Sequence, residues 1–124
     1  MQAEISRFVE YLTVERNASV HTIENYKRDL EQFAEYLQQQ NVTELPGVHY
    51  LLVRGYLAEL QKQEYAKRSV SRKLSALRSF FHFLVAEEVI EVSPFQFIRT
   101  PKLDKKLPKF LYVEEMEELL KLPD

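Results

Sequence analysis

The chain of 124 residues contains no cysteine, which excludes a disulfide framework and any metal site built on thiolates. It has only two glycines, Gly47 and Gly55, so neither a glycine-rich phosphate loop nor a dinucleotide-binding fingerprint can form. The first residues lack the pattern of a secretion signal, and no stretch approaches the roughly 20 apolar residues of a membrane span. These absences favour a soluble, cytoplasmic protein without membrane contact.

Catalytic patterns are also absent. The three histidines have no ligand-like spacing to one another or to a carboxylate, and no serine lies in a nucleophile elbow. Tyr11, Tyr26 and Tyr56 lie at or beside apolar stripes, which is typical of core aromatics. We therefore predict no catalytic residue, no metal and no cofactor in this chain.

Apolar residues recur at helical spacing in four segments, which are residues 4–16, 20–39, about 48–62 and 67–88. The connections are short, one of them contains the turn signal Pro46-Gly47, and no strand-like alternation occurs. This order predicts an all-α fold, an orthogonal bundle of four main helices. Gly55 inside the third segment costs about 1 kcal/mol of helix propensity relative to alanine, so we expect close packing there.

The pattern changes after the fourth segment. Ser93-Pro94 is a helix start signal, and it predicts a short fifth helix that ends by Pro101. Residues 102–111 begin with a lysine-rich stretch and are predicted to form a basic linker. Residues 112–124 resemble an amphipathic helix whose outer face is acidic. We expect a helical domain over residues 1–101, the linker, and then the start of a truncated second domain.

Charge is distributed unevenly along the chain, although the formal net charge is only −2. Residues 1–61 contain five Lys or Arg and nine Asp or Glu. Residues 62–109 contain eleven basic and five acidic residues, and residues 110–124 contain one basic and five acidic residues. The blocks therefore carry −4, +6 and −4. Because contact with nucleic acid is made by a local surface and is screened beyond about 10 Å, the basic middle block outweighs the total.

The fourth predicted helix concentrates this positive charge on one face. Its apolar stripe, within an arc of about 80° at 100° per residue, consists of Val70, Leu74, Leu77, Phe81 and Leu84. The opposite face carries Arg68, Arg72, Ser75, Ser79 and His82, with Lys67, Ser69 and Lys73 on its flanks, and no carboxylate occurs before Glu87. An ordinary solvated face usually alternates Glu with Lys, whereas small and basic residues suit a helix in the major groove. The pattern favours phosphate or groove binding.

Four motifs in order resemble a known family. They are SVHTIENYKRDL at residues 19–30, SVSRKLSALRSFFHFL at 69–84, SPFQFIRTPK at 93–102 and LPKFL at 107–111. Together they are similar to the N-terminal, SAM-like core-binding domain of Xer-type tyrosine recombinases, most of all the XerC-like group within the phage-integrase family. The similarity covers nearly the whole chain in the family's order and spacing.

The resemblance implies a domain that clamps one face of double-stranded DNA at a recombination half-site, as in chromosome dimer resolution. A tyrosine nucleophile in a separate C-terminal domain would cut the strand, so this chain is expected to bind DNA without cutting it. The full-length parent is expected to join a sister recombinase in a tetrameric synapse, and the chain alone is expected to be monomeric.

The resemblance also implies which side chains meet DNA. From the second and fourth helices and the linker these are Thr22, Asn25, Arg28, Lys67, Arg68, Ser69, Arg72, Lys73, Ser75, Ser79, Lys102, Lys105 and Lys106. We expect Arg72 and Asn25 to reach base edges, since arginine pairs with guanine and asparagine with adenine.

Two alternatives remain open. The acidic blocks would suit a helical protein-interaction module, and the same domain occurs in integrases of phages, transposons and integrons. The lack of an additional segment ahead of the first helix favours the Xer type over lambda-like integrases.

Overall fold

The computed structural model describes residues 1–96 and residue 98, and within them it contains four α-helices and no strand. The helices are α1 (Gln2–Val14), α2 (Val20–Gln39), α3 (Tyr50–Lys62) and α4 (Lys67–Ala86), with a short 3-10 helix at Leu45–Gly47. The all-α prediction is confirmed. The predicted bounds of α2 match at both ends, and the other helices differ by two residues at most.

The core is built around the apolar stripe of α4. All five residues predicted for that stripe are buried, and so is Phe80, which the prediction left out. Phe8 of α1 meets the Phe80 ring edge-on at 5.5 Å between centroids, while Phe33 of α2 meets the Tyr56 ring of α3 at 4.9 Å. Helix α4 packs against both α1 and α2, and α1 packs against α2. Phe33 also meets the Phe81 ring of α4 at 6.0 Å, so these aromatic contacts join all four helices into one core.

Gly55 lies where α3 approaches α2 closely. A Cβ atom at this position would come within 2.6 Å of the Tyr36 hydroxyl, which donates a hydrogen bond to the Leu52 carbonyl at 3.4 Å. The Tyr36 ring in turn lies 5.0 Å from the Tyr56 ring. The predicted close packing at Gly55 is confirmed, and its cause is the aromatic layer between α2 and α3.

Helices α2, α3 and α4 end in the same way, although no glycine is present at any of the ends. Asn41, Glu64 and Glu88 each adopt a left-handed backbone, with φ of 61°, 63° and 61°. The next N–H, that of Val42, Tyr65 or Val89, donates to the carbonyl five residues earlier at 2.9–3.2 Å. This is the Schellman arrangement, which satisfies the last helical carbonyls. At the end of α3 it also brings Tyr65 back toward α2 and α4.

The chain beyond α4 is described only in part. Ser93 Oγ accepts the N–H of Phe95 at 3.1 Å, residues 94–96 form a turn, and Phe95 is buried in the core. The predicted fifth helix is not seen in those residues, and its remaining residues lie outside the described part, apart from Ile98. The linker at 102–111 and the helix at 112–124 also lie outside it, so these predictions and the domain boundaries stay predictions.

Candidate nucleic-acid interface

The outward face of α4 carries the basic and small residues that the sequence predicts for it. Lys67, Arg68 and Ser79 are exposed, Arg72 has 47% of its side chain exposed, and Ser69 and Ser75 are partly buried. No acidic residue occurs between Lys67 and Ala86. This surface is therefore positive along the first turns of α4 and has short side chains further along.

The N-terminal half of α2 is ordered by local hydrogen bonds. Ser19 is its N-cap, and the Ser19 hydroxyl accepts the N–H of Thr22 at 3.1 Å and lies 3.0 Å from the Thr22 hydroxyl. One turn further, Arg28 Nη1 donates to Asn25 Oδ1 at 3.3 Å. Thr22 and Arg28 are exposed and Asn25 is partly buried. These bonds restrain, at the start of α2, the residues that are predicted to contact DNA.

A buried carboxylate joins α2 to α4. Asp29 of α2 is only 1% exposed, and its Oδ2 accepts from Arg72 Nε at 3.2 Å while its Oδ1 accepts from Arg72 Nη2 at 3.1 Å. The Asp29 Oδ1 atom also accepts from Lys73 Nζ at 3.1 Å. A carboxylate can be buried at this depth because two cations and three charge-assisted hydrogen bonds compensate its lost hydration.

Two further groups surround the Lys73 ammonium. It donates to Gln32 Oε1 on α2 and lies 5.0 Å from the centre of the Tyr65 ring. Gln32 Nε2 donates to the Tyr65 hydroxyl at 3.0 Å. We call this set, Asp29, Gln32, Tyr65, Arg72 and Lys73, the buried ion cluster. It connects α2, α4 and the end of α3 at one point.

Lys73 is therefore not where the sequence placed it. We expected it on the flank of the outward face, but it is only 4% exposed and its ammonium points to Asp29. At 100° per residue Lys73 lies about 20° from Leu84, on the buried side of α4. There its ammonium, together with Arg72, compensates the buried Asp29 carboxylate. In this position the Lys73 ammonium is buried, whereas its neighbour Arg72 is half exposed.

Sequence reasoning missed Asp29 as a member of the site. At 100° per residue Asp29 lies about 40° from Phe33 on α2, at the edge of the apolar stripe. A carboxylate in such a position needs a cationic partner from another helix, and that was the available signal. The partner's identity depends on how α2 and α4 cross, which helical spacing does not show.

The segment that follows α4 folds back and contacts α4. Arg78 of α4 is partly buried and donates to the carbonyl of Ile98, and Phe95 packs 5.2 Å from the Phe81 ring. The linker lysines predicted to meet DNA, Lys102, Lys105 and Lys106, lie outside the described residues. In the part of the chain that is described, no helix is long and apolar enough to cross a membrane, and no three His, Asp or Glu side chains are grouped as a metal site.

The chain is similar in sequence to a described family and to curated proteins. The family described as phage integrase, N-terminal SAM-like domain, matches residues 5–88. A tyrosine recombinase XerC of Halalkalibacterium halodurans is 52% identical over 94% of this chain and 38% of its own length. A tyrosine recombinase XerC of Oceanobacillus iheyensis is 44% identical over 100% of this chain and 41% of its own length. A tyrosine recombinase XerC of Bacillus subtilis is 42% identical over 97% of this chain and 40% of its own length.

The chain thus spans about two fifths of the length of these curated relatives. No solved structure matches it. The family match extends from the first buried residue of α1 to the residues just after α4, and so includes both helices of the candidate interface. The chain therefore belongs to the phage integrase family as a XerC-like member, and residues 5–88 are its N-terminal SAM-like domain.

Proposed function

We propose that this chain is the DNA-binding domain of a site-specific tyrosine recombinase and clamps one face of a recombination half-site. The observation that carries the proposal is the outward face of α4, which is positive, lacks carboxylates and is joined at Asp29 to α2. Helix α4 would lie in the major groove, since a helix about 10 Å across fits a groove about 12 Å wide.

The contact surface consists of side chains from two helices. They are Thr22, Asn25 and Arg28 of α2 and Lys67, Arg68, Ser69, Arg72, Ser75 and Ser79 of α4. Lys102, Lys105 and Lys106 would follow the DNA backbone beyond this surface. Most of these groups position the protein on phosphates, while Arg72 and Asn25 reach base edges. Lys73 supports the surface through Asp29 and does not contact DNA itself.

The parent protein, by this proposal, is a tyrosine recombinase that acts in DNA integration and recombination such as chromosome dimer resolution, in the bacterial cytoplasm. Relatives of this chain are named tyrosine recombinase XerC, and the chain matches about two fifths of their length. Cleavage and the tetrameric synapse with a sister recombinase would require the remaining part. The chain alone would bind DNA as a monomer without cutting it.

A fluorescence anisotropy titration tests DNA binding. The chain is added to a labelled duplex carrying a recombination half-site at several salt concentrations. If about five basic side chains meet phosphates, the slope of log K against log salt is expected near −4 to −5. Arg68→Glu/Arg72→Glu is expected to lower the affinity at least tenfold, since two cations of the proposed surface become anions that the DNA backbone repels.

The matched control is Arg54→Glu/Lys62→Glu, which reverses two exposed charges of α3 outside the proposed surface. It changes the net charge of the chain equally and is expected to lower the affinity much less. Binding that does not depend on salt, or equal losses in the two double variants, would contradict the proposed surface. In that case the acidic surfaces would point to a protein partner.

A further inference from the structure

The Arg72 guanidinium is held by Asp29 along one of its edges. Its Nε and Nη2 groups donate to the two oxygens of Asp29 at 3.2 and 3.1 Å, so the bond is bidentate. A guanidinium has five N–H donors in a fixed plane, and these bonds use two of them. The edge formed by Nη1 and the second N–H of Nη2 points away from the carboxylate, on a side chain that is 47% exposed.

The carboxylate that holds Arg72 brings no net negative charge to the surface. Asp29 is paired with Lys73 as well as Arg72, so the three side chains together carry one positive charge. The Lys73 ammonium is fixed beneath the surface by Gln32 and by the Tyr65 ring. An approaching DNA strand therefore meets an oriented guanidinium without repulsion from the group that orients it.

We propose that Asp29 is a positioning residue that presents the free edge of Arg72 to the O6 and N7 acceptors of one guanine in the major groove. This inference rests on the proposed function, and it adds a specificity-determining pair to it. The free edge has two parallel N–H donors, which match the two acceptors that guanine shows there. Lys73 is a second counter-ion of this buried carboxylate, beside Arg72.

Orientation of Arg72 before binding also lowers the cost of binding. An unrestrained arginine side chain loses much rotamer freedom when it is fixed on a base, and that loss weakens the contact. Here Asp29, which is buried and also bonded to Lys73, already restricts Arg72. The guanine preference should therefore depend on Asp29 and not only on the charge of Arg72.

The test is a selection of randomised duplexes on the full 124-residue chain, with sequencing of the bound fraction. The parent is expected to enrich guanine about tenfold at one position, within the usual range for a bidentate contact. Arg72→Lys keeps the charge but lacks the paired donors, so it is expected to lose this enrichment while still binding DNA. Arg54→Lys, an equivalent change on α3, is the matched control and should keep the enrichment.

Asp29 is tested in a variant that avoids an uncompensated buried charge. Asp29→Leu/Lys73→Met replaces both buried ions with apolar side chains of similar size and leaves Arg72 in place. The net charge of the chain does not change. It is expected to lose the guanine enrichment as Arg72→Lys does, while its affinity for bulk DNA stays within about threefold of the parent. Lys73→Met alone keeps the Asp29 to Arg72 bonds and should keep the enrichment.

A second measurement follows Arg72 without DNA. In an NMR spectrum of the ¹⁵N-labelled chain, the Arg72 Nε–H signal, assigned by its absence in Arg72→Lys, is expected to exchange slowly with water. It should be broadened or lost in Asp29→Leu/Lys73→Met and retained in Lys73→Met. A parent that does not bind DNA overturns the proposed function and this inference together. A parent that binds, but whose guanine enrichment is absent or survives in Asp29→Leu/Lys73→Met, overturns this inference alone.

Discussion

Replacing Asp29 with leucine should destabilise the chain strongly, because it would leave a buried cation without its partner. Lys73 is only 4% exposed, and its ammonium lies 3.1 Å from Asp29 Oδ1. After Asp29→Leu the remaining neighbours of the ammonium would be the uncharged Gln32 side chain and the Tyr65 ring. Arg72 differs from Lys73 in this respect, since it is half exposed and can turn into water.

The expected loss is about 3–5 kcal/mol, the usual cost of removing one partner from a buried ion pair. Domains of this kind unfold with a free energy of about 5–15 kcal/mol, so the change would remove a large part of the stability. At roughly 4 °C or more per kcal/mol for a domain of about 100 residues, the melting temperature should fall by about 12 °C or more.

Urea unfolding followed by circular dichroism at the helix band measures this loss. A double-mutant cycle makes the cause specific, because Lys73→Met removes the cation and leaves Asp29 paired with Arg72. Asp29→Leu/Lys73→Met removes both ions and should recover most of the stability lost in Asp29→Leu, since well-packed apolar replacements of a buried pair are often neutral. The coupling energy should therefore be about 2 kcal/mol or more.

Two results would refute this reasoning. One is a loss below about 1 kcal/mol in Asp29→Leu, which would show that the Lys73 ammonium reaches water at little cost. The other is additivity within about 0.5 kcal/mol across the cycle, which would show that Asp29 and Lys73 act independently.

The same unfolding assay checks four further changes. Tyr56→Phe should raise the free energy of unfolding by about 1 kcal/mol, because the buried hydroxyl has no hydrogen-bond partner among the described residues; a loss would contradict this. Burial, and then the charge of Asp29, raises the pKa of Tyr56, so the folded chain holds that proton more tightly than the unfolded chain. Stability should therefore fall as the pH rises above about 10, and the fall should be smaller in Tyr56→Phe. Gly55→Ala should cost about 1–3 kcal/mol, although alanine favours a helix, because its Cβ would meet the Tyr36 hydroxyl; a gain would show that the ring moves aside. Glu64→Asn should add about 0.5 kcal/mol at the left-handed end of α3, and no gain would mean that the glutamate is unstrained there.

The helices and most of the core could be predicted because both depend on local periodicity. The stripe of α4 from Val70 to Leu84 follows from helical spacing alone, and all of its predicted members are buried. The end of α4 was placed two residues late, because Glu88 adopts the left-handed conformation that sequence rules assign to glycine or asparagine. Glutamate gives no such signal, so the helix end depended on backbone bonds that only the structure shows.

The site was less predictable because it depends on a contact between helices. A helical wheel separates Arg72 and Lys73 by 100° and places Lys73 about 20° from Leu84, beside the apolar stripe. The sequence interpretation nevertheless treats both as surface cations. The structure separates them, since Lys73 is buried and Arg72 is half exposed. The difference arises from Asp29, which lies more than 40 residues earlier in the chain. The wheel position of Lys73 indicates burial, but no pattern within α4 identifies Asp29 as its partner.

The buried ion cluster is better explained by orientation than by stability. A buried ion pair usually adds no more stability than apolar side chains of the same size, because both ions lose their hydration. The apolar stripes of α2 and α4 would hold the helices together, yet apolar packing constrains sliding and rotation less sharply than directional bonds do. Asp29 accepts three hydrogen bonds from α4 at 3.1–3.2 Å, which set the position of the two helices relative to each other at that point. If both helices contact one stretch of DNA, as we propose, that setting decides which phosphates and bases they reach together. Asp29→Leu/Lys73→Met should then keep its fold and lose sequence preference, a combination that a purely stabilising cluster does not produce.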